Sequence, residues 1–210
     1  MTGPADGNMS APRPRFAVWQ DHAEYVRSLA ESLGLIFRPR PQPPYGWQLC
    51  TGEQELLYGS LSQVEAHLRH EKLWGPQEIG HDAWQRIGVE SESLTCDIAG
   101  RSRVHGFKRC GGVDHDRSYA ISVWSQLHTI DDVRHKETGV EFVPTVIGDR
   151  TGFRYTPRSD HGGDQCILIF PAADESYSID VQRLNPRSRT TPVDRLVQVA
   201  QVIVPFLPDL

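Results

Sequence analysis

The chain has 210 residues, 38% of them hydrophobic and 23% charged, so it has the apolar side chains for a packed core and too many of them for a disordered chain. Its formal net charge of -5 leaves no global basic field to draw in phosphates, which argues against nucleic acid as a partner unless a local patch supplies the charge. No run of about 18 apolar residues offers a membrane-spanning helix, and four cysteines, Cys50, Cys96, Cys110 and Cys166, are too few and too dispersed for a disulfide-built scaffold.

Residues 1–15 are rich in Gly, Pro and Ala, with almost nothing to bury, and are predicted to be a disordered tail. They contain no apolar h-region and Asp6 falls early, so the start reads as neither a secretory signal nor a lipoprotein leader. The expected compartment is the cytoplasm; a misassigned start codon would remove a leader, and the cell envelope would then take its place. From Phe16 the pattern becomes helical. Val18, Trp19, His22, Val26, Leu29 and Leu33 recur at helical spacing, and Gly34 stands where a left-handed cap would end the helix. Three short β-leaning runs follow, LIFRPR, GWQLC and ELLYGS, separated by the prolines at 41–44 and by a turn at Thr51-Gly52-Glu53. Ser60 reads as the N-cap of the next helix, whose Leu61, Val64 and Leu68 form one apolar stripe.

Residues 16–72 are therefore predicted as a small α-β-β-β-α module. Double-stranded RNA-binding domains share that order of elements but need cations to oppose phosphates. Arg15, Arg27, Arg38, Arg40, Arg69 and Lys72 are outnumbered by Asp21, Glu24, Glu31, Glu53, Glu55, Glu65 and Glu71, so no nucleic-acid partner is expected.

Residues 73–210 are predicted to form a second domain, with LWGPQEIG as the junction. It opens with a short helix near HDAWQRIG, followed by extended pieces: SLTCDIA, FKRCGG, SYAISVW, EFVPTVIG, TGFRYT, QCILIFP and SYSIDVQRL. Tyr119, Ile121 and Val123 alternate with Ser118, Ala120 and Ser122, the pattern of a sheet with one face on a core. One helix is expected between Thr129 and Gly139, and a last one after Thr191 with Pro192 in its first turn and Leu196, Val199, Val202 and Ile203 inward. The fold class is thus α+β, an antiparallel β-sheet packed with helices and preceded by the small module.

The strings FKRCGG, YAISVWSQLHTIDDVR, FVPTVIGDRTGFRY and QCILIFPAADESYSIDV, with PFLP in the closing helix, carry a resemblance. Over residues 73–208 the chain resembles a domain of unknown function found in actinobacterial envelope lipoproteins. The resemblance implies a PsbP/Mog1-like α-β-α sandwich, a fold whose members usually act as binding modules. It also implies that Cys110 and Cys166 sit close across the sheet as a disulfide or adjacent thiols. A second family pair, ahead of the first helix and at the start of the last, falls here on LWGPQEI and TTPVD and is absent. More weakly, YGWQLCTGEQELLYGSLSQVEAHL, residues 45–68, resembles a small hairpin-plus-helix module of actinobacterial and mobile-element proteins.

Candidate sites compete with structural roles. Cys96, His105, Cys110 and His115 are residue types that zinc favours, but they lack the closely spaced pairs of structural zinc sites. His128, Asp131, Asp132 and His135 have spacings that bring imidazoles and a carboxylate to one helix face. Capping is the better account of them, with the two aspartates in the first turn and Arg134, His135 and Lys136 near the other end. His161, between Asp160 and Asp164, lies in a polar loop that turn chemistry explains. GDRTG reads as a hairpin turn, and no phosphate-loop, H-E-x-x-H or G-x-S-x-G string is present. The aromatic residues Tyr45, Trp47, Tyr58, Trp74 and Trp84 are the binding candidates, on a seam between the domains or on a partner surface.

The expectation is a non-catalytic binding or protein-interaction module, taking a protein partner or small ligand and no cofactor. Two alternatives are a metal-dependent hydrolase using the His/Asp cluster and a structural protein of the cell envelope.

Overall fold

The structure is a computed structural model and describes residues 15–208; the predicted tail lies outside that range apart from Arg15, with which the first helix begins. The chain divides between Leu68 and Arg69 into two compact units. The boundary expected from sequence was four residues later. It falls earlier because the end of the second helix is bonded within the second unit: the Gly106 N–H donates to His70 Nδ1 at 3.2 Å, and Lys108 Nζ donates to the Glu71 carbonyl at 3.4 Å.

In the first unit the order is helix α1 (Arg15–Ser32), strands β1 (Ile36–Pro39), β2 (Trp47–Thr51) and β3 (Gln54–Gly59), then helix α2 (Leu61–Lys72). Gly34 has φ 69 and ends α1 as predicted, a conformation that glycine adopts at no steric cost. The three strands pair antiparallel in chain order. Ser60 Oγ accepts from the Gln63 N–H at 3.2 Å and Gln63 Oε1 accepts from the Ser60 N–H at 2.8 Å, a reciprocal cap on α2. Val26, Leu29, Ala30, Phe37, Leu49, Leu61, Val64 and Leu68 make the core. Trp19, expected on the inner stripe of α1, is exposed instead, because the buried face of that helix turns on Ala23, Val26, Leu29 and Ala30.

The second unit contains helix α3 (His81–Arg86), strands β4 (Phe107–Val113) and β5 (Tyr119–Gln126), helix α4 (Ile130–Lys136), strands β6 (Val143–Ile147), β7 (Arg150–Tyr155), β8 (Gln165–Pro171) and β9 (Ser176–Arg183), and helix α5 (Pro192–Ile203). The strands form one antiparallel sheet in the order β4-β5-β9-β8-β7-β6. On one face Tyr119, Ile121, Val123, Leu168, Phe170, Ile179 and Val181 meet Leu196, Val199, Ala200 and Ile203 of α5. Full burial of each large aliphatic side chain there contributes about 1.5–3 kcal/mol. On the other face Tyr155 and Ile169 pack beneath Val133 of α4. The fold is α+β, with helices on antiparallel sheets.

Two expectations about this unit are corrected. SLTCDIA does not form a strand: it touches the outer edge of β4 only at Thr95, which exchanges two 2.9 Å backbone hydrogen bonds with Gly111. The chain turns away at Ala99 and Gly100, both at positive φ, with Asp97 Oδ1 accepting from the Gly100 N–H at 2.7 Å. Cys110 is bonded to Cys96, not paired with Cys166. The register puts Cys110 opposite Val123, Val123 opposite Ile179 and Ile179 opposite Leu168, so β4 and β8 stand three strand spacings apart. At about 4.8 Å per spacing that is roughly 14 Å, far beyond disulfide reach. Cys166 is a buried free thiol whose pKa burial raises.

Candidate functional site

The site grows from the edge strand β4. A Cβ on Gly111 would lie 2.4 Å from the Ile121 carbonyl oxygen and 2.6 Å from Ser122 Oγ, so only glycine lets β4 and β5 come this close there. The guanidinium of Arg109 donates from Nε and Nη2 to Ser122 Oγ at 3.1 and 2.8 Å and from Nη1 to the Asp97 carbonyl at 3.2 Å. Arg109 thereby fastens the segment after Thr95 to the strand, and the Cys96–Cys110 disulfide closes the same loop covalently.

Inside this loop is a cavity of about 270 Å³. Its polar lining comes from His70, Gln77, Ser102, Lys108 and Arg109, its apolar wall from Ile98, Val104 and Phe107, and Cys96 also faces it. No Asp or Glu among the described residues lines it. His70 is 5% exposed. Its Nδ1 is taken by the Gly106 amide, so the neutral imidazole carries its hydrogen on Nε2, which has no hydrogen-bond partner among the described residues. Burial holds His70 below the usual histidine range, and the positive charges of Arg103 and Lys108 add to the effect. The ammonium of Lys108 spends two donors on the Leu73 and Glu71 carbonyls at the end of α2, leaving a third. Burial lowers its pKa too, against the raising influence of Glu71 and Glu78. Chemically the cavity offers donors to an acceptor. The Cys96 sulfur is held in the disulfide and the basic nitrogen of His70 is occupied by the Gly106 amide.

Two other cavities are less one-sided. One, of about 260 Å³, lies near the start of α5 and sets Asp114 and Asp116 beside Arg195 and His115; Arg195 Nη2 is 3.7 Å from Asp114 Oδ2 and donates to the Ile87 carbonyl at 2.5 Å. The other, about 210 Å³ beside α4, is lined by His128, Asp132, Lys136, Glu137 and Tyr155.

Of the four residues weighed as a metal cluster against capping, His128 and Asp132 line that last cavity, and the four are engaged separately. Asp132 Oδ2 accepts from the Thr129 N–H at 2.8 Å while Thr129 Oγ1 accepts from the Asp132 N–H at 3.3 Å, a reciprocal cap on α4. Asp131 pairs with Arg134 at 3.4 Å, His128 lies against the ring of Phe107, and His135 is exposed. Cys96 and Cys110 are spent on each other, His105 stacks on His70, and His115 is 3.9 Å from Glu90. Among the described residues no group of three or more His, Cys, Asp or Glu is placed to hold a metal ion. His161 is exposed; Asp160 accepts from the backbone of Gly162 and Gln165, and Asp164 takes the guanidinium of Arg183.

Of the aromatic candidates, Trp84 is 2% exposed and belongs to the core of the second unit, whereas Trp74 is half-buried against that core and meets Tyr177 edge-on at 5.7 Å. Ala83, Trp84 and Ile87 turn inward together from α3, which is why Trp84 is lost to the core. In the first unit Trp47 stacks on Phe37 at 4.6 Å, and Tyr58 lies under the Arg40 guanidinium at 4.3 Å. Tyr45 is 77% exposed.

The sequence reasoning missed His70, Gln77, Ser102, Lys108 and Arg109. One signal was readable: four cations between Arg101 and Arg109 with no acid among them. No family model, curated protein or solved structure matches the chain.

Proposed function

We propose that the chain is a non-catalytic binding module whose second unit takes a small ligand in the cavity beside β4. The observation that carries this reading is His70: a side chain buried to 5%, lining a cavity, with a hydrogen on Nε2 that nothing among the described residues accepts. That Nε2 hydrogen opens to the cavity, where an acceptor on a ligand can take it in place of water. The resemblance of residues 73–208 to the envelope-lipoprotein domain, with its PsbP/Mog1-like sandwich, supports binding over catalysis.

The test is thermal denaturation and proton–nitrogen NMR of the full chain against a chemically mixed set of small molecules. Compounds that raise the melting temperature should also shift the His70 imidazole signals; a screen that yields none overturns the reading. The Cys96–Cys110 disulfide favours an oxidising compartment, and with it the cell envelope, over the cytoplasm. Thiol labelling in fractionated host cells checks this: labelling of Cys96 before any reduction would return the protein to the cytoplasm. A second reading, a protein partner at the first unit, rests on exposed Tyr45 and Tyr58. Substituting both by alanine should abolish any specific capture that the intact chain gives.

A further inference from the structure

The cavity beside β4 also indicates the chemistry of its occupant. We propose that it takes a small organic anion, a carboxylate or phosphate monoester whose oxyanion meets the donors and whose short apolar body lies on Ile98, Val104 and Phe107. This rests on the reading of the cavity as a ligand site.

Three observations carry it. The lining holds the charged side chains of Lys108 and Arg109 and no carboxylate among the described residues; Glu71, Glu78 and Glu175 act on Lys108 and Asp97 and Asp180 on Arg109 from outside the lining, so an anion in the cavity meets charged donors with no carboxylate in the wall to repel it. The remaining polar groups are donors or can donate: the Nε2 hydrogen of His70, the Ser102 hydroxyl and the Gln77 amide. The rim has the same sign, since Arg101 and Arg103 flank Ser102, although Arg103 is shared with Glu71 at 2.6 Å. Size and wall then narrow the class. At about 270 Å³ the space is below the roughly 300–1,000 Å³ of pockets that hold drug-sized ligands. A wall of three apolar side chains suits a body of a few carbons better than a bare inorganic ion. The cavity beside Arg195 fails the same comparison, because Asp114 and Asp116 stand among its cations.

The experiment uses the full chain and three probes, followed by NMR titration: pentanoate, its neutral isostere pentanamide, and inorganic phosphate. Pentanoate should bind saturably, shifting Ser102, Gly106 and the His70 ring. Pentanamide should bind at least about tenfold more weakly, phosphate more weakly than pentanoate, and pentanoate affinity should fall as salt is raised. Lys108→Gln should cost pentanoate about tenfold and shrink its advantage over pentanamide. Because Lys108 also holds the end of α2, the salt titration on the unaltered chain gives a second readout that needs no variant. Pentanamide binding as tightly as pentanoate overturns the anionic class but leaves a ligand cavity standing. Phosphate binding without pentanoate overturns the apolar body. Failure of all three probes while neutral compounds from the wider screen shift His70 overturns this inference alone; failure of every compound removes the binding reading with it.

Discussion

Replacing Cys96 by alanine measures how far the second unit depends on one covalent tie. The disulfide joins residues 14 apart in sequence. In the chain-entropy account, closing such a loop removes roughly 2.1 + 1.5R ln 14, or about 10 cal/mol/K, from the unfolded state, which is about 3 kcal/mol at 25 °C. Cys96 is the right end to alter: it is exposed, whereas Cys110 is 0% exposed and its replacement would add a packing loss to the entropic one. For a unit of this size each kcal/mol moves the melting temperature by about 3 °C, so Cys96→Ala should melt about 10 °C lower. Calorimetry with and without a phosphine reductant supplies the control. The unaltered protein should fall to the temperature of the variant on reduction, and the variant should not respond. Equal melting temperatures with the disulfide verified by mass spectrometry would refute the entropic reasoning. Alkylation of all four cysteines without reduction would refute the bond itself.

Asp180 gives a pH prediction. Burial pushes its carboxyl up to about 6, against the opposing effects of the Gln165 amide and the charge of Arg109. The folded pKa lies above the unfolded value of about 3.9, so the proton stabilises the fold: that contribution is complete below about pH 4 and is lost as pH rises through about 6. Asp180→Asn, which keeps the neutral form, should therefore gain about 1–3 kcal/mol on the native protein between pH 4 and pH 7.5 in urea denaturation; a gap independent of pH contradicts the shift. Thr129→Ala, which removes the cap of α4, should lower stability by about 1 kcal/mol in the same assay, and no change would mean the cap is idle. Gly111→Ala places a Cβ 2.4 Å from a backbone oxygen that cannot swing aside and should cost about 2 kcal/mol or more; a cost under about 0.5 kcal/mol would contradict the close approach of β4 and β5.

Local chemistry was readable from sequence wherever one residue decides an outcome within its own turn. Ser60, Thr129 and Thr191 cap the helices they precede, Gly34 ends α1 at positive φ, and the alternation of Tyr119, Ile121 and Val123 marks the core face of β5; Gly139, expected to cap α4, lies in the turn after its actual C-cap, Glu137. Asp132 closes the cap with Thr129 because an N-terminus has amide hydrogens to satisfy within one turn, while Asp131 in the same turn pairs with Arg134. What escaped depends on partners far along the chain. Trp84 looks like a recognition residue until α3 turns it inward. Cys110 has three possible partners in the sequence, and only the strand order places Cys166 out of reach. The cavity needs His70 beside Gly106, thirty-six residues later, a juxtaposition that no periodicity encodes.

The outer strands of the six-stranded sheet bear on how the protein behaves at high concentration. A row of unpaired amides along a border strand is a template on which a second molecule can add a strand and begin a fibril. On one border Pro144 sits inside β6, and proline is tolerated in a strand only where its missing N–H would have faced outward, so that rim is short of a donor. On the other border Thr95 already occupies the amide and carbonyl of Gly111. Both rims are thus partly closed to strand exchange between molecules, a form of self-avoidance that the sheet acquires from one proline and one threonine.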